Sequence, residues 1–363
     1  MRTILRGAWV IAAATAAAGP AAAITTVPGV RVQTAASGVP RPTAIAVDAR
    51  GGMWITSSGN YPLASDGVWF VPRPGARPRQ VADGMSLALG LTWRRGVLYV
   101  AHVDPAGTSD ADVARRRGRV VALGAWDGRR FRSRRVVLGG LPVGRHTIDN
   151  IVTGPDGMLY VGLGSVGDTR RSPSALSATV LRFHPAARRP VARVVARGLR
   201  NPYGLAFVPG TRHLVVTDNG RDDLGPSRPP DEVNLVDTSR PARAYGFPRC
   251  WGQGGTACRG TVPALVRTAP HASTDGVAVV RRFGRWGTSA FVASNGSALF
   301  SRPVTSVVQR VALTPAPGGY RARLTRFAWG FRRFDPLGMT SDSRGRVYLT
   351  LWRSGRIVLF TPR

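Results

Sequence analysis

Three segments of the chain carry residue types able to do chemistry. In Gly144-Arg-His-Thr-Ile-Asp-Asn-Ile-Val-Thr-Gly-Pro-Asp-Gly-Met-Leu-Tyr-Val, His146 stands just before an apolar run. An imidazole titrates near neutrality. At the rim of a site it serves as a general base; hydrogen-bonded in a wall, it serves only the fold. In Gly198-Leu-Arg-Asn-Pro-Tyr-Gly-Leu-Ala-Phe, Arg200 and Asn201 precede a second such run. A guanidinium there polarises a carbonyl, clasps a carboxylate through paired N–H donors, or ties loop carbonyls together. The third segment runs Thr217-Asp-Asn-Gly-Arg-Asp-Asp-Leu-Gly, then Pro229-Pro-Asp-Glu-Val-Asn and Ala244-Tyr-Gly-Phe-Pro. Asp218, Asp222, Asp223, Asp231 and Glu232 gather acid in a strongly basic chain. Carboxylates among glycine turns suit Ca²⁺, and they suit ion pairs with arginine equally well.

The elements that position these segments form a repeat. An apolar segment, a turn and an alternating strand recur six times: Thr43–Val47 with Gly52–Thr56, Leu89–Trp93 with Val97–Ala101, Asp149–Thr153 with Gly157–Val161, Tyr203–Phe207 with His213–Thr217, Asp275–Val279 with Ala290–Ala293, and Leu337–Ser341 with Val347–Thr350. Period-2 alternation around a short turn predicts a hairpin, and further strands follow at Gly118–Leu123, Ala178–Phe183 and Gly355–Phe360. Spacings of about 45 to 70 residues predict an all-β, six-bladed propeller of four-stranded antiparallel blades, rather than a β-sandwich. The last repeat is short of an outer strand, and Val30–Thr34 is placed to supply it, covering an exposed sheet edge. Propellers bind ligands where loops meet at one end of the central channel. All three chemical segments flank inner strands.

In this order, the three segments resemble the pyrroloquinoline-quinone (PQQ) glucose and sorbosone dehydrogenases. The motifs are His-x-x-x-x-(apolar)-x-x-Gly-Pro-Asp-Gly, Gly-Leu-Arg-Asn-Pro-x-Gly-Leu-Ala-Phe, Asp-Glu-(apolar)-Asn and Tyr-Gly-(aromatic)-Pro. The resemblance is strong from His146 to Trp251 and spans about residues 40–363. It implies a six-bladed propeller that oxidises an aldose or a sorbosone-like sugar and passes electrons to an external acceptor. It implies His146 as the base taking the sugar hydroxyl proton and Arg200 as the group polarising the quinone carbonyl. Asn201 and Tyr203 would contact the cofactor, Tyr203 standing where the glucose enzymes have Gln. Gly220 and Arg221 would hold a catalytic Ca²⁺ through their carbonyls. Asp231, Glu232 and Tyr245 match a second, structural Ca²⁺ site. The family lysine that contacts PQQ falls near Asn295-Gly296-Ser297, and the chain has no lysine. Arg302, Arg332, Arg333 and Arg353 are the candidates for the PQQ carboxylates. Two rival activities share the fold: a lactonase with Ca²⁺ in the channel, and a sugar-binding propeller without cofactor.

Composition adds the compartment. All 51 basic residues are arginine and the formal charge is +32. Arginine is spread along the whole chain, so a specific nucleic-acid site is not expected. Adhesion to an anionic cell wall or lipid surface is. Arg2 and Arg6, the apolar stretch 7–18 and Ala21-Ala22-Ala23 read as a signal peptide over residues 1–23, leaving a propeller over 24–363. In an oxidising compartment Cys250 and Cys258 are expected to pair rather than stay free. Intact-mass measurement of secreted protein should give a chain that begins at Ile24; retention of Met1–Arg6 would overturn the cleavage assignment.

Overall fold

The computed structural model describes residues 23–60, 65–104, 115–301 and 303–363. Six antiparallel sheets follow one another along the chain. Their innermost strands are Pro42–Val47, Gly90–Arg94, Ile148–Thr153, Pro202–Phe207, Thr274–Val280 and Pro336–Ser341. Each touches the next, and the last touches the first, so the sheets close into a six-bladed propeller. We number the blades I to VI in that order. All six hairpins read from the sequence are present. Blade VI is completed by Val30–Ser37, which pairs antiparallel with Arg356–Pro362 from Val30 opposite Pro362 to Ser37 opposite Arg356.

Two blades exceed the expected four strands. Thr25–Thr26 adds to the outer edge of blade V beside Ala328 and Trp329. Arg243–Ala244 adds in parallel to the outer edge of blade III. Both additions cover edge N–H and C=O groups that would otherwise face solvent unpaired.

The core is divided into six apolar wedges, one between each pair of neighbouring blades. Trp54, Trp93 and Trp126 fill the wedge between blades I and II, with Trp54 stacked on Trp93 at 4.7 Å between centroids. Phe283, Phe291, Phe327 and Phe360 fill the wedge between V and VI. Such rings bury large apolar areas and gain further from offset and edge-on contact. The alternation seen in the sequence is the cause. One face of every strand looks into one wedge, and the other face looks into the next.

Near the channel the blades approach too closely for side chains. A Cβ on Gly204 would lie 2.2 Å from the Asp275 carbonyl of blade V, and one on Gly276 would lie 2.0 Å from the Leu337 carbonyl of blade VI. A threonine on the second strand bridges the same gap. The Gly204 N–H donates to Thr217 Oγ1 at 2.8 Å, and that hydroxyl donates to Asp275 O at 2.6 Å. Thr350 accepts from the Gly338 N–H in the same way and reaches Thr43 O across the VI–I junction.

Cys250 and Cys258 form a disulfide in the loop that follows Tyr245. A loop this short contributes roughly 2–3 kcal/mol by restricting the unfolded chain. Thiol labelling of unreduced, denatured protein should find no reactive cysteine, and reduction should lower the melting temperature.

Candidate active site

The loops above the inner strands enclose a cavity of about 820 Å³ at one end of the channel. Two kinds of position supply most of its wall. The first is the segment just before an inner strand: Arg41, Arg145 and His146, Arg200 and Asn201, His271 and Ser273. The second is the loop after a second strand: Asn219 and Gly220, Asn295 to Ser297, Trp352 and Arg353.

His146 is tucked against Gly164. A Cβ there would sit 2.3 Å from the His146 Cβ, so only glycine leaves the imidazole its place. His146 Nε2 is buried and lies 3.8 Å from Asp168 Oδ1, too far for a hydrogen bond, and among the described residues no other group reaches it. Burial pushes the imidazole below its ordinary value. Asp168 opposes this, and Arg200 and Arg145 reinforce it. The ring is therefore neutral at pH 7 and has the lone pair a base needs.

Arg200 is 3% exposed and thoroughly held. Its Nη2 donates to Asp168 Oδ1 at 2.5 Å and to Asp222 Oδ2 at 2.9 Å, and its Nε donates to Asp168 O at 3.2 Å. His146, Arg200 and Arg145 together hold the Asp168 carboxyl well below the usual range. The backbone beneath is held by Asp218, whose carboxylate accepts the Arg200 N–H at 3.1 Å and the Asn201 N–H at 2.6 Å. Asn201 Oδ1 is buried without a partner. Arg41, Arg145 and Arg353 line the wall, and Arg41 lies over the Trp352 ring at 5.1 Å. These guanidinium groups are counter-charges for a ligand that carries carboxylates.

Asp231 and Glu232 are neighbours in sequence on Pro230–Asp237, so the strand sends them to opposite faces. Asp231 lines the cavity, and both its oxygens are engaged, Oδ1 by the Gly220 N–H at 2.9 Å and Oδ2 by the Thr274 N–H at 3.0 Å. Glu232, the chain's single glutamate, faces a recess of about 30 Å³ with Asp218, Gly220, Arg221 and Tyr245. The expected trio of Asp231, Glu232 and Tyr245 therefore does not converge, because strand alternation divides it. The Tyr245 hydroxyl donates instead to Leu235 O at 2.8 Å. Among the described residues no three of His, Cys, Asp and Glu converge on one ion. Asp218 and Glu232 do share the recess, which has room for one small ion.

Arg332 and Arg333 are exposed and take no part in the cavity wall; Arg333 lies over the Phe334 ring. They leave Arg353, with Arg41 and Arg145, as the cationic wall. Arg302 lies outside the described residues. Tyr203 is buried below the cavity and does not line it. Sequence reasoning missed Asp168, Arg41, Arg145 and His271. Three of the four stand just before an inner strand, the position that had already singled out His146 and Arg200.

The same fold is found in several solved structures. The calcium structure of a Trichoderma reesei carbohydrate-active enzyme of family AA12 superposes with a TM-score of 0.75 at 18% identity, over 95% of this chain and 98% of that one. The PQQ-bound aldose sugar dehydrogenase of Streptomyces coelicolor gives 0.67 at 21% identity, over 95% and 100%. An oxidoreductase of Thermus thermophilus, described as a glucose dehydrogenase, gives 0.69 at 25% identity, over 92% and 100%. An uncharacterized protein of Borreliella burgdorferi is 26% identical over 189 residues, which span 49% of this chain and 48% of that protein. The class that these likenesses show is that of the six-bladed β-propellers. The glucose/sorbosone dehydrogenase family model matches residues 94–294, more than half of the chain, and the chain belongs to that family.

Burial and the facing Glu232 raise Asp218 to about 8, and burial raises Glu232 to about 7. Carboxyls raised on folding stabilise the fold while protonated, and that contribution is lost as pH rises through the folded values. Asp168 has the opposite sense, but it titrates far below this window. Metal-free protein should therefore melt progressively lower from pH 6 to pH 8.5. Asp218→Asn with Glu232→Gln should make the profile shallower, leaving the part contributed by Asp275 and Asp231, which burial raises to about 7 and about 6, as differential scanning calorimetry would show.

Proposed function

We propose that this chain is an exported, PQQ- and Ca²⁺-dependent sugar dehydrogenase. The observation that carries the reading is the half-buried His146, held below its ordinary titration range, whose buried Nε2 meets no partner among the described residues at the edge of a cavity lined by Arg41, Arg145, Arg200 and Arg353. A planar tricarboxylate quinone matches that wall. Arg41, Arg145 and Arg353 would take the carboxylates, and Asn201 Oδ1 would gain a partner. The recess with Asp218 and Glu232, beside Gly220 and Arg221, would take Ca²⁺. There the ion would relieve two carboxyls that otherwise repel one another.

When bound, the quinone supplies a two-electron acceptor for the hydride leaving the sugar carbon. The chain's residues handle the proton and the charge. His146 Nε2 accepts the proton from the sugar hydroxyl, so the sugar loses one hydride and one proton in all. Arg200 brings positive charge to the cavity wall, held in place by Asp168 and Asp222. Asp168, beside His146, stabilises the imidazolium that forms. An external acceptor then takes the electrons. The strong net positive charge, which the loss of Arg2 and Arg6 barely lowers, favours retention of the exported protein on anionic envelope polymers.

Protein loaded with PQQ and CaCl₂ should bleach a dye on addition of an aldose. His146→Ala should lower kcat by about 10²–10⁴-fold while leaving PQQ affinity nearly unchanged. Arg200→Lys should restore only part of what Arg200→Ala loses, because Lys lacks the planar fork. Acid release from a lactone without PQQ would replace the reading with a hydrolase, and failure to bind PQQ at micromolar concentration would replace it with a sugar-binding propeller.

A further inference from the structure

The floor of the cavity is a ring. In five of the six blades a register shift falls just after the first residue of the inner strand, beside Thr43, Asp149, Tyr203, Asp275 and Leu337. Leu89 stands at the matching place in blade II, just before Gly90–Arg94. The ring is apolar on blades VI and II, with Thr43 of blade I between them donating to the Ala88 carbonyl at 2.6 Å. On blades III, IV and V it is Asp149, Tyr203 and Asp275.

This polar half is under-satisfied. Asp149 is 2% exposed, and its Oδ2 meets no hydrogen-bond partner. The hydroxyl of Tyr203, 8% exposed, meets none either, nor does Oδ1 of Asn219. Asn219 belongs here because its Nδ2 donates to Asp275 Oδ1 at 2.8 Å. Ser273 Oγ donates to Asp275 Oδ2 at 2.9 Å. Three buried oxygens are thus left over: the amide oxygen only accepts, and burial with the neighbouring Asp275 and Asp218 raises the Asp149 carboxyl well above its ordinary range. Buried oxygens left this way cost about 1–3 kcal/mol each, and more when charged, so the fold retains them for a ligand.

The missing partner is not an arginine. The charges acting on Asp149 are Asp275 and Asp218, and those acting on Tyr203 are Asp275 and Asp149. Among the described residues no arginine is among the groups acting on Asp149 or Tyr203. Buried charge is tolerated when it is paired or when it coordinates a metal. Once Asp149 and Asp275 release the protons that burial favours, two carboxylates, an amide oxygen and a phenolic oxygen form an all-oxygen, doubly anionic set, which selects a hard divalent cation over a soft one.

We propose that Asp149, Asp275, Asn219 and Tyr203 bind a divalent cation of the Ca²⁺ class on the channel axis, beneath the cavity and apart from the recess of Asp218 and Glu232. Asn219 and Ser273 open onto the cavity and mark the route of entry. On the other side of the ring, Ile151, Leu205, Val277 and Met339 line a recess of about 160 Å³ at the lower mouth of the channel. The cation would tie three blades together at the axis, where no sheet hydrogen bond joins them. The inference does not depend on the dehydrogenase reading, since the site is complete without quinone or sugar.

The test uses the whole chain without PQQ, stripped with EDTA and titrated with CaCl₂ by calorimetry. Asp149→Asn with Asp275→Asn keeps the shapes and removes the charge. That variant should lose one Ca²⁺ per chain relative to wild type, whereas Asp218→Asn with Glu232→Gln should keep it. An anomalous-difference map from wild-type crystals soaked in CaCl₂ should show a peak between Asp149 and Asp275. Equal stoichiometry in the wild type and the Asp149/Asp275 variant, or a soaked crystal with no peak at that position, would overturn the proposal.

Discussion

The molecule depends on how closely its inner strands approach around the channel. Neighbouring blades share no sheet hydrogen bonds there, so something else must hold six wedges in a circle. In four blades a glycine after the ring residue, Gly90, Gly204, Gly276 or Gly338, lets the next blade's carbonyl come within reach, and at two of these junctions the Thr217 or Thr350 hydroxyl joins the two. At Gly204–Thr217–Asp275 the relay is buried and both its hydrogen bonds are short. Buried hydrogen bonds of this kind are electrostatically stronger than exposed ones, and losing one partner strands the other. The relay therefore fixes backbone position as well as closing the ring. It places the residue before each inner strand, which is where the cavity takes its chemistry.

The cavity illustrates how a basic protein keeps one arginine in a fixed place. Arg200 is buried between Asp168 and Asp222, from two different loops. Breaking a buried pair by removing one partner is far more costly than forming it is favourable. The guanidinium is thus locked relative to both loops, and the loops relative to one another. The same carboxylates draw on Arg145, at 3.7 Å from Asp168 and 4.0 Å from Asp222. His146 is neutral in the midst of this charge because it is shielded from water and unbonded at Nε2. Its environment is set by Gly164 behind it rather than by any single ion pair.

The propeller was legible in the chain because each strand leaves a period-2 trace and each hairpin a glycine turn. Even the bridging threonines stood in view, as the residues ending His213–Thr217 and Val347–Thr350. Their partners across the blade junctions did not, since a sequence repeat says nothing about which carbonyl comes near. His146, Arg200 and Asn201 were found because motif and position agreed. Asp168 was not, because it sits in a loop without periodicity and acquires its role only when blade III meets blade IV. Asp231 and Glu232 looked like a pair because adjacency in sequence resembles adjacency in space, and strand geometry makes them diverge. Arg332 and Arg333 failed for a similar reason, being near the site along the chain but on its outer surface.

The strand that completes blade VI sets the order of events in folding. Val30 lies opposite Pro362, so this strand is made early and its place in the sheet is made almost last. Contacts so distant in sequence close slowly, because the loop entropy must be met before the contact rewards it. Five blades can assemble by local hairpins while Val30–Ser37 stays unpaired, an alternating strand with a free edge. For that interval the nascent protein is open at one seam, with the VI–I wedge of Ile45, Met53, Tyr348 and Leu359 exposed. The seam is where a folding chain of this kind is most open to mispairing with a second copy. The strand's arrival ends that exposure and turns an open arc of blades into a topologically sealed one.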